Sequence, residues 1–402
     1  MSVTAPSTVG SVSLQVTKGT TPTLSAGGFL AEGVAFVKVE SIASDGHIVK
    51  QKLAFISEQT HMGQKRSILH ADDLLFSIAG TIGRVARVDA EILPGNTNQA
   101  LAIIRPDQSK VDVRFLMHCL RDKKRIDHAL SLVVQSVQAN LSLAELSNIE
   151  IPLPPLSEQR AIAEVLGALD DKIAANIRIA AISAELSGGL FEHYLHEGSV
   201  ESLLSEITSL VSRGVTPAYS EDAVGTTTIL NQKCVRDQRV SLGASRNTLD
   251  SKVREDKILR INDVLVNSTG QGTLGRVARW TRVKRVTTDS HISIVRFDAT
   301  KTNAVTAGYA LLRMQPAIEE LGEGSTGQTE LSRVDLGRLR VRLPARDLQD
   351  QLGVRLLELS RTEDSYLAEN ETLAVTRDAL LPQLMSGKLR VRDAEKLLAG
   401  VL

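Results

Sequence analysis

The sequence predicts a chain of mixed α/β (α+β) class in which one unit, a small globule followed by a long helix, occurs twice. Three observations predict it. Residues from about 12 to 149 alternate short β-branched runs with Gly and Pro turns before a helical period takes over. From Ser157 to Tyr194, apolar residues recur at alternating steps of four and three. Both patterns return about 190 residues later, and a repeat that long is a duplicated domain pair rather than a solenoid.

Taken in order, Lys18-Gly19-Thr20-Thr21-Pro22 reads as a turn. Phe36-Val37-Lys38-Val39 and Leu74-Leu75-Phe76-Ser77 read as strands. Gly80-Thr81-Ile82-Gly83 turns tightly into a strand, Arg84 to Val88, and Ala100 to Ile104 forms another, ended by Pro106. From Asp112 the period becomes helical: Leu116, Cys119, Leu120, Ile126 and Leu130 share a face, with Arg121, Lys123, Lys124 and Arg125 opposite.

Ile151-Pro152-Leu153-Pro154-Pro155-Leu156-Ser157-Glu158-Gln159-Arg160 comes next. Its prolines fix φ and remove backbone donors, so the segment before Ser157 is extended. Ser157 reads as the N-cap of the long helix, with Glu158 and Gln159 in the first turn. Ile162, Leu166, Leu169, Ile173, Asn176 and Ala180 form a narrow seam for a second helix. A continuous helix from Ser157 to Tyr194 would be roughly 55 Å long at 1.5 Å per residue.

The second copy follows the same plan. Arg213-Gly214-Val215-Thr216-Pro217 echoes the first turn, and Asp263-Val264-Leu265-Val266 echoes Asp73-Leu74-Leu75-Phe76. Gly272-Thr273-Leu274-Gly275-Arg276-Val277-Ala278-Arg279 repeats Gly80 to Arg87, and Ile292 to Arg296 repeats Leu101 to Arg105. Gln328 and Leu331-Ser332 stand 190 positions after Gln138 and Leu141-Ser142. Leu352, Leu356, Leu359, Tyr366, Leu380 and Leu384 repeat the first seam, but Glu363 and Asn370 stand where the first has Ile173 and Ala180. Polar seam residues fix register at a cost in stability. The matched seams predict two helices paired antiparallel, with pseudo-two-fold symmetry. The expected boundaries are 1–150 and 198–343 for the globules, and 151–197 and 344–402 for the helices.

The 402 residues are 42% hydrophobic, an ordinary globular composition, and carry no net charge, so the chain as a whole is not a polycation. Cys119 and Cys234 are far apart, without zinc-ligand spacing, which suits a reducing cytoplasm. No apolar run is long enough to span a bilayer, and residues 1–18 lack a signal core, so a soluble, cytoplasmic protein is expected. Charge is uneven: from Thr226 to Arg296, fourteen Lys and Arg face six Asp and Glu. Such a cluster can neutralise phosphates, and arginine reads guanine in the major groove. The candidate DNA contacts are Lys233, Arg236, Arg239, Arg246, Lys252, Arg254, Arg276, Arg279 and Gln328 in the second globule. In the first they are Lys65, Arg66, Arg84, Arg87 and Gln138. A solvated charged face is the competing reading of any one of them.

Enzyme motifs are weak. Gly270-Gln271-Gly272-Thr273-Leu274-Gly275 fits a dinucleotide-binding pattern, but the following residues alternate as a strand, leaving no helix N-terminus for a pyrophosphate. Asp107 with Asp122-Lys123-Lys124 mimics a nuclease arrangement that the second copy lacks, and Asp122 falls on the polar face of an ordinary helix. Asp289-Ser290-His291, read on a strand, would point to opposite faces. The chain reads as non-catalytic, with no metal site or cofactor of its own.

The proline-to-helix segment running into Leu169-Asp170-Asp171-Lys172-Ile173, the two Gly-Thr-aliphatic-Gly-Arg-Val-Ala turns, and Leu380-Leu381-Pro382-Gln383-Leu384-Met385-Ser386-Gly387-Lys388-Leu389 together resemble the specificity subunit of type I restriction-modification systems. The resemblance covers essentially the whole chain. It implies that each globule is a target recognition domain reading one half of a split DNA site. It implies that the helices form an antiparallel coiled-coil spacer. It also implies partners: double-stranded DNA, two methyltransferase subunits binding S-adenosylmethionine, and two restriction subunits using ATP and Mg. The docking candidates on the helices are Gln159, Arg160, Glu164, Asp170, Asp171 and Lys172, then Gln349, Asp350, Arg355, Arg361 and Arg377. The second linker, Val341 to Leu348, keeps one proline where the first has three, which puts docking on the second helix in doubt. Two other readings stay open: a coiled-coil protein–protein scaffold without DNA specificity, and a stand-alone nuclease or cofactor enzyme.

Overall fold

The computed structural model describes residues 7–23, 27–43, 45–131, 140–222, 224–321 and 330–398, with Lys123 and Ala129 described by their backbone alone. The chain is mixed α/β and folds as two compact units. One comprises Met1–Asn176 and Ala368–Leu402; the other is Ile177–Leu367. The two long helices, Leu156–Glu197 and Arg346–Met385, therefore each contribute one part to each unit.

In the first unit, four antiparallel strands are ordered Ser13–Lys18, Leu101–Pro106, Leu74–Ser77, Val85–Arg87. A second sheet places Val34–Val37 between antiparallel Ala54–Ile56 and parallel Gly95–Thr97. The first strand expected in sequence thus lies slightly earlier, because the chain coils into a 3-10 turn at Val39–Ser41. The helical segment after Asp112 is two helices, Val113–Arg121 and Lys123–Ser131, broken at Asp122. Asp122 is not a solvated charge. It is 9% exposed and its Oδ1 accepts from the Lys124 amide at 3.1 Å, a local bond that competes with continued helix.

The seam of the first long helix is buried: Ile162, Leu166, Leu169, Ile173, Asn176 and Ala180 are all at most 7% exposed. Those up to Ile173 share a core with Phe115, Leu116, Leu373, Leu380 and Leu384. Each such fully buried side chain contributes about 1.5–3 kcal/mol of apolar burial. Asp170 pairs with Arg377, while Asn176 pairs with Glu369 and Asn370, so the two helices run antiparallel in this unit. The polar seam residue Asn370 has a partner: Asn176 Nδ2 donates to Asn370 Oδ1 at 2.9 Å, and Asn370 Nδ2 donates to the Ile173 carbonyl at 3.3 Å.

The second unit repeats the sheets. Its antiparallel sheet is ordered Thr208–Arg213, Ile292–Phe297, Val264–Asn267, Val277–Arg279. Its second sheet is ordered Tyr219–Ser220, Arg246–Leu249, Thr226–Leu230, Val286–Thr288, the last pair parallel. Phe191, Tyr194, Leu352 and Leu356 from the long helices join its core. Glu363, the other polar seam position, takes Arg239 as its ion-pair partner.

Equivalent polar residues fasten helix to globule in each unit. The first long helix begins at Leu156, one residue before the expected start, and Ser157 is no cap: the Pro155 carbonyl accepts from the Glu158 and Gln159 amides. Gln159 is turned inward. Its Oε1 accepts from the Asp112 amide at 2.8 Å, and its Nε2 donates to the Lys110 and Pro154 carbonyls at 3.2 and 2.8 Å. Gln349 does the same, accepting from Thr302 Oγ1 and the Asn303 amide and donating to the Pro344 carbonyl. These two were expected on exposed docking faces; at 1% and 2% exposure they are internal latches. The backbone groups they meet would otherwise be buried without partners.

The repeated turns have a steric reason. A Cβ on Gly19 would lie 2.0 Å from the Thr97 carbonyl oxygen, and one on Gly214 would lie 2.0 Å from that of Thr288. Only glycine lets these strands cross so closely. Among the described residues no helix is long and apolar enough to cross a membrane.

Candidate nucleic-acid interface

In each unit the parallel strand pair runs toward one end, where loops from both sheets gather. In the first unit, Val34–Val37 leads into Lys38, and the Gly80–Gly83 turn closes beside Ala79, which bridges Asn140. In the second, Thr226–Leu230 leads into Asn231, Gln232 and Lys233, and the Gly270–Gly275 turn closes beside Thr269, which bridges Glu330. Gly80 and Gly272 both have φ of 72°, in the left-handed region that favours glycine. After the second turn the chain enters strand Val277–Arg279, not a helix.

Each cluster exposes an aromatic ring beneath a cation. Phe29 is 44% exposed with Lys38 Nζ 4.0 Å from its ring centroid; Tyr219 is 50% exposed with the Arg246 guanidinium 4.7 Å from its own. Leu30 bridges Phe55 as Ser220 pairs with Asn247, so the two rings occupy corresponding positions; the cations do not, since Arg246 lies on the strand opposite Ile229 whereas Lys38 directly follows Val37. An exposed ring beside a cation with no ion pair among the described residues offers a stacking face and a positive charge to a nucleic acid. Sequence reasoning named Arg246 and missed Phe29, Lys38 and Tyr219. The signal available was an aromatic residue a few positions before the same strand in both copies; the cations share no such position.

The structure divides the basic candidates. Lys65, Arg66, Lys233, Arg246 and Lys252 are exposed, without an ion pair among the described residues. Arg87 is held by Asp72 and Asp89 at 3.7 and 2.6 Å, Arg236 lies beside Asp237 at 3.7 Å, and Arg254 beside Asp256 at 3.0 Å. Arg239 is engaged by Glu363, and Arg276 donates to the Gly272 carbonyl at 2.8 Å. Two expectations need correction. Arg84 spans back to the carbonyls of Val39 and Ile42, bracing the fold. Arg279 is 6% exposed, bonded to Asn262 and Ser360 and lying 4.9 Å from the Tyr309 ring centroid. Guanidinium groups so enclosed are scaffold. Of the fourteen cations counted in sequence, Arg279 is enclosed and Arg239 is engaged by Glu363 from outside the counted segment, while Lys233, Arg246, Lys252, Arg260, Arg282 and Lys284 are exposed. Gln138 and Gln328 lie outside the described residues.

Of the docking candidates, Arg160, Glu164, Asp171, Asp350, Arg355 and Arg361 are exposed. Asp350 accepts from Asn303 and Arg346, and Arg355 lies over the Tyr194 ring. Lys172 pairs with Glu369 at 3.6 Å. Asp170 is enclosed between Arg121 at 3.0 Å and Arg377 at 2.7 Å, with His118 Nδ1 at 4.0 Å.

His118 is 1% exposed, and burial pushes its pKa down to about 4, outweighing the nearby Asp170 carboxylate. Its folded value lies below the ordinary 6.5, so the unfolded chain binds the extra proton between those values. Stability from this residue is complete above about 6.5 and is lost as pH falls toward about 4. The expected slope is at most about 1.4 kcal/mol per pH unit. His118→Gln should flatten that slope in acid melts followed by circular dichroism; an unchanged slope would count against burial as its origin.

The described contacts of Asp289-Ser290-His291 are those of a turn between strands rather than a strand: the Asp289 Oδ1 accepts from the His291 amide at 3.0 Å. Burial pushes the Asp289 carboxyl up.

A family model described as "Type I restriction modification DNA specificity domain" matches residues 16–182. The chain is 23% identical over 385 residues to the "Putative type I restriction enzyme MjaX specificity subunit" of Methanocaldococcus jannaschii, covering 90% of this chain and 88% of that one. It is 29% identical over 151 residues to the type I restriction enzyme EcoBI specificity subunit of Escherichia coli, covering 37% and 31% of the two chains. Among solved structures, the type I restriction-modification S subunit from M. genitalium superposes with a TM-score of 0.56 at 18% identity, covering 96% of this chain and 97% of that one.

Proposed function

We propose that the chain is a specificity subunit of the type I restriction-modification family it resembles and that it reads a bipartite DNA target, one half-site per globular unit. The observation that carries this reading is the duplication itself: two like scaffolds, each gathering loops, an exposed ring and a free cation at the same end of its sheets. Phosphate contacts from Lys65, Arg66, Lys233, Arg246 and Lys252 would position each unit, and loop side chains would select bases. Salt sensitivity would then track these few free cations rather than the full count of Lys and Arg.

The family is one of non-catalytic subunits. On our reading, chemistry lies in partners: two methyltransferase subunits using S-adenosylmethionine to modify adenine, and two restriction subunits using ATP and Mg, all in the cytoplasm. Arg160, Glu164, Asp171, Asp350 and Arg355, exposed on the long helices, are the candidate docking residues that remain. Single-molecule sequencing of adenine methylation in cells with and without this gene tests the reading. The expected result is one split motif that disappears with the gene. A methylation pattern indifferent to the gene would refute it and leave the scaffold alternative.

A further inference from the structure

The two units share their scaffold but differ at one set of three facing positions. In the second unit Gln232 Nε2 donates to the Thr269 carbonyl at 2.8 Å and to its hydroxyl at 2.7 Å. The Thr269 hydroxyl is 2.8 Å from His291 Nδ1. A carbonyl can only accept, so the orientation of the Gln232 amide is fixed. Thr269, accepting from Gln232, can pass its own hydrogen to His291 Nδ1, and in that tautomer Nε2–H is the remaining donor of the ring, on an exposed residue. Gln232 Oε1 has no partner among the described residues. The chain of bonds thus ends in a held donor and a held acceptor, beside exposed Lys233.

The first unit has the same three positions without the chemistry. Val37 pairs with Thr97 as Leu230 pairs with Thr288, which aligns Val39 with Gln232. Ala79 bridges Asn140 as Thr269 bridges Glu330. The Ile78 amide donates to the Ala100 carbonyl as the Ser268 amide donates to that of His291. Valine, alanine and alanine therefore replace glutamine, threonine and histidine. The scaffold needs none of these polar groups, because the first unit keeps the same register without them.

We infer that Gln232, Thr269 and His291 are a base-reading element of the second unit, with His291 Nε2 and Gln232 Oε1 selecting base edges in one half-site and Thr269 positioning both. This rests on the functional reading above. A fixed donor and acceptor are what groove readout requires, since each base edge presents its own order of donors and acceptors. A duplicated protein that reads two unlike half-sites needs such a difference on an otherwise shared frame.

The test is methylation mapping by single-molecule sequencing in cells carrying the complete system with His291→Ala or Gln232→Val. The expected result is relaxation on the order of tenfold at one or two base pairs of one half-site. The other half-site and the gap should stay unchanged. An unaltered motif, or a uniform fall in methylation at every site, overturns the inference, because a phosphate contact or a structural role gives those outcomes. Should His291→Ala melt early by Trp280 fluorescence, His291→Gln is decided by the same criteria. If the unsubstituted chain directs no sequence-specific methylation, the functional reading fails and this inference falls with it. If it does and the variants keep its motif, this inference alone fails.

Discussion

Asp263→Ala is expected to cost the second unit about 3–5 kcal/mol. The Asp263 side chain is 2% exposed and accepts from Arg296 Nε and Nη2 at 2.9 and 2.7 Å, and from the Arg260 amide at 2.8 Å. Removing it leaves the Arg296 side chain, itself 11% exposed, with the Asp256 and Ile258 carbonyls as its remaining hydrogen-bond partners among the described residues. The loss comes mostly from that stranded charge, not from the missing attraction. Trp280 is the chain's only tryptophan, and its amide donates to the Asp263 carbonyl at 2.7 Å. Its fluorescence therefore reports on this unit, and the urea midpoint should fall well below that of the parent. The matching pair in the first unit, Asp73 with Arg105, supplies the control: Asp73→Ala should shift the circular dichroism transition and leave the Trp280 signal in place. An unmoved midpoint for Asp263→Ala would show that the pair carries no net stabilisation.

Gln349→Ala comes next, at about 2–4 kcal/mol, since each buried polar group left unpaired costs about 1–3 kcal/mol. It strands the Asn303 amide, the Thr302 hydroxyl and the Pro344 carbonyl together. Gln349→Glu keeps the acceptor but loses the donor to Pro344, so it should also destabilise the unit. Asp350→Ala, one residue along and exposed, should cost about 1 kcal/mol or less. If Gln349 instead served a partner subunit, its alanine variant would melt like the parent and lose only partner binding.

These two substitutions mark where the candidate site was and was not legible. The repeat, the glycine turns and the apolar seam could be read because each is a local pattern of residue type. The basic cluster could be counted, but counting could not tell Arg246 on an open ring from Arg279 enclosed by Ser360 and Tyr309. Gln232, Thr269 and His291 are separated by tens of residues and share no motif. Only strand register brings them together, and only the register of the other copy shows what they replace.

By itself the sequence determined the class, the duplication, several of the strands and the apolar seam of the first long helix. Periodicity and β-branching act within a few residues, so they leave their mark in one dimension. Tertiary structure decided which polar side chains face inward. A glutamine in a first helical turn suits a surface as well as a core. Gln159 is internal because the Asp112 amide, 47 residues away, lies 2.8 Å from its Oε1. That pairing, with a buried amide's need for a partner, turned an expected docking residue into a latch.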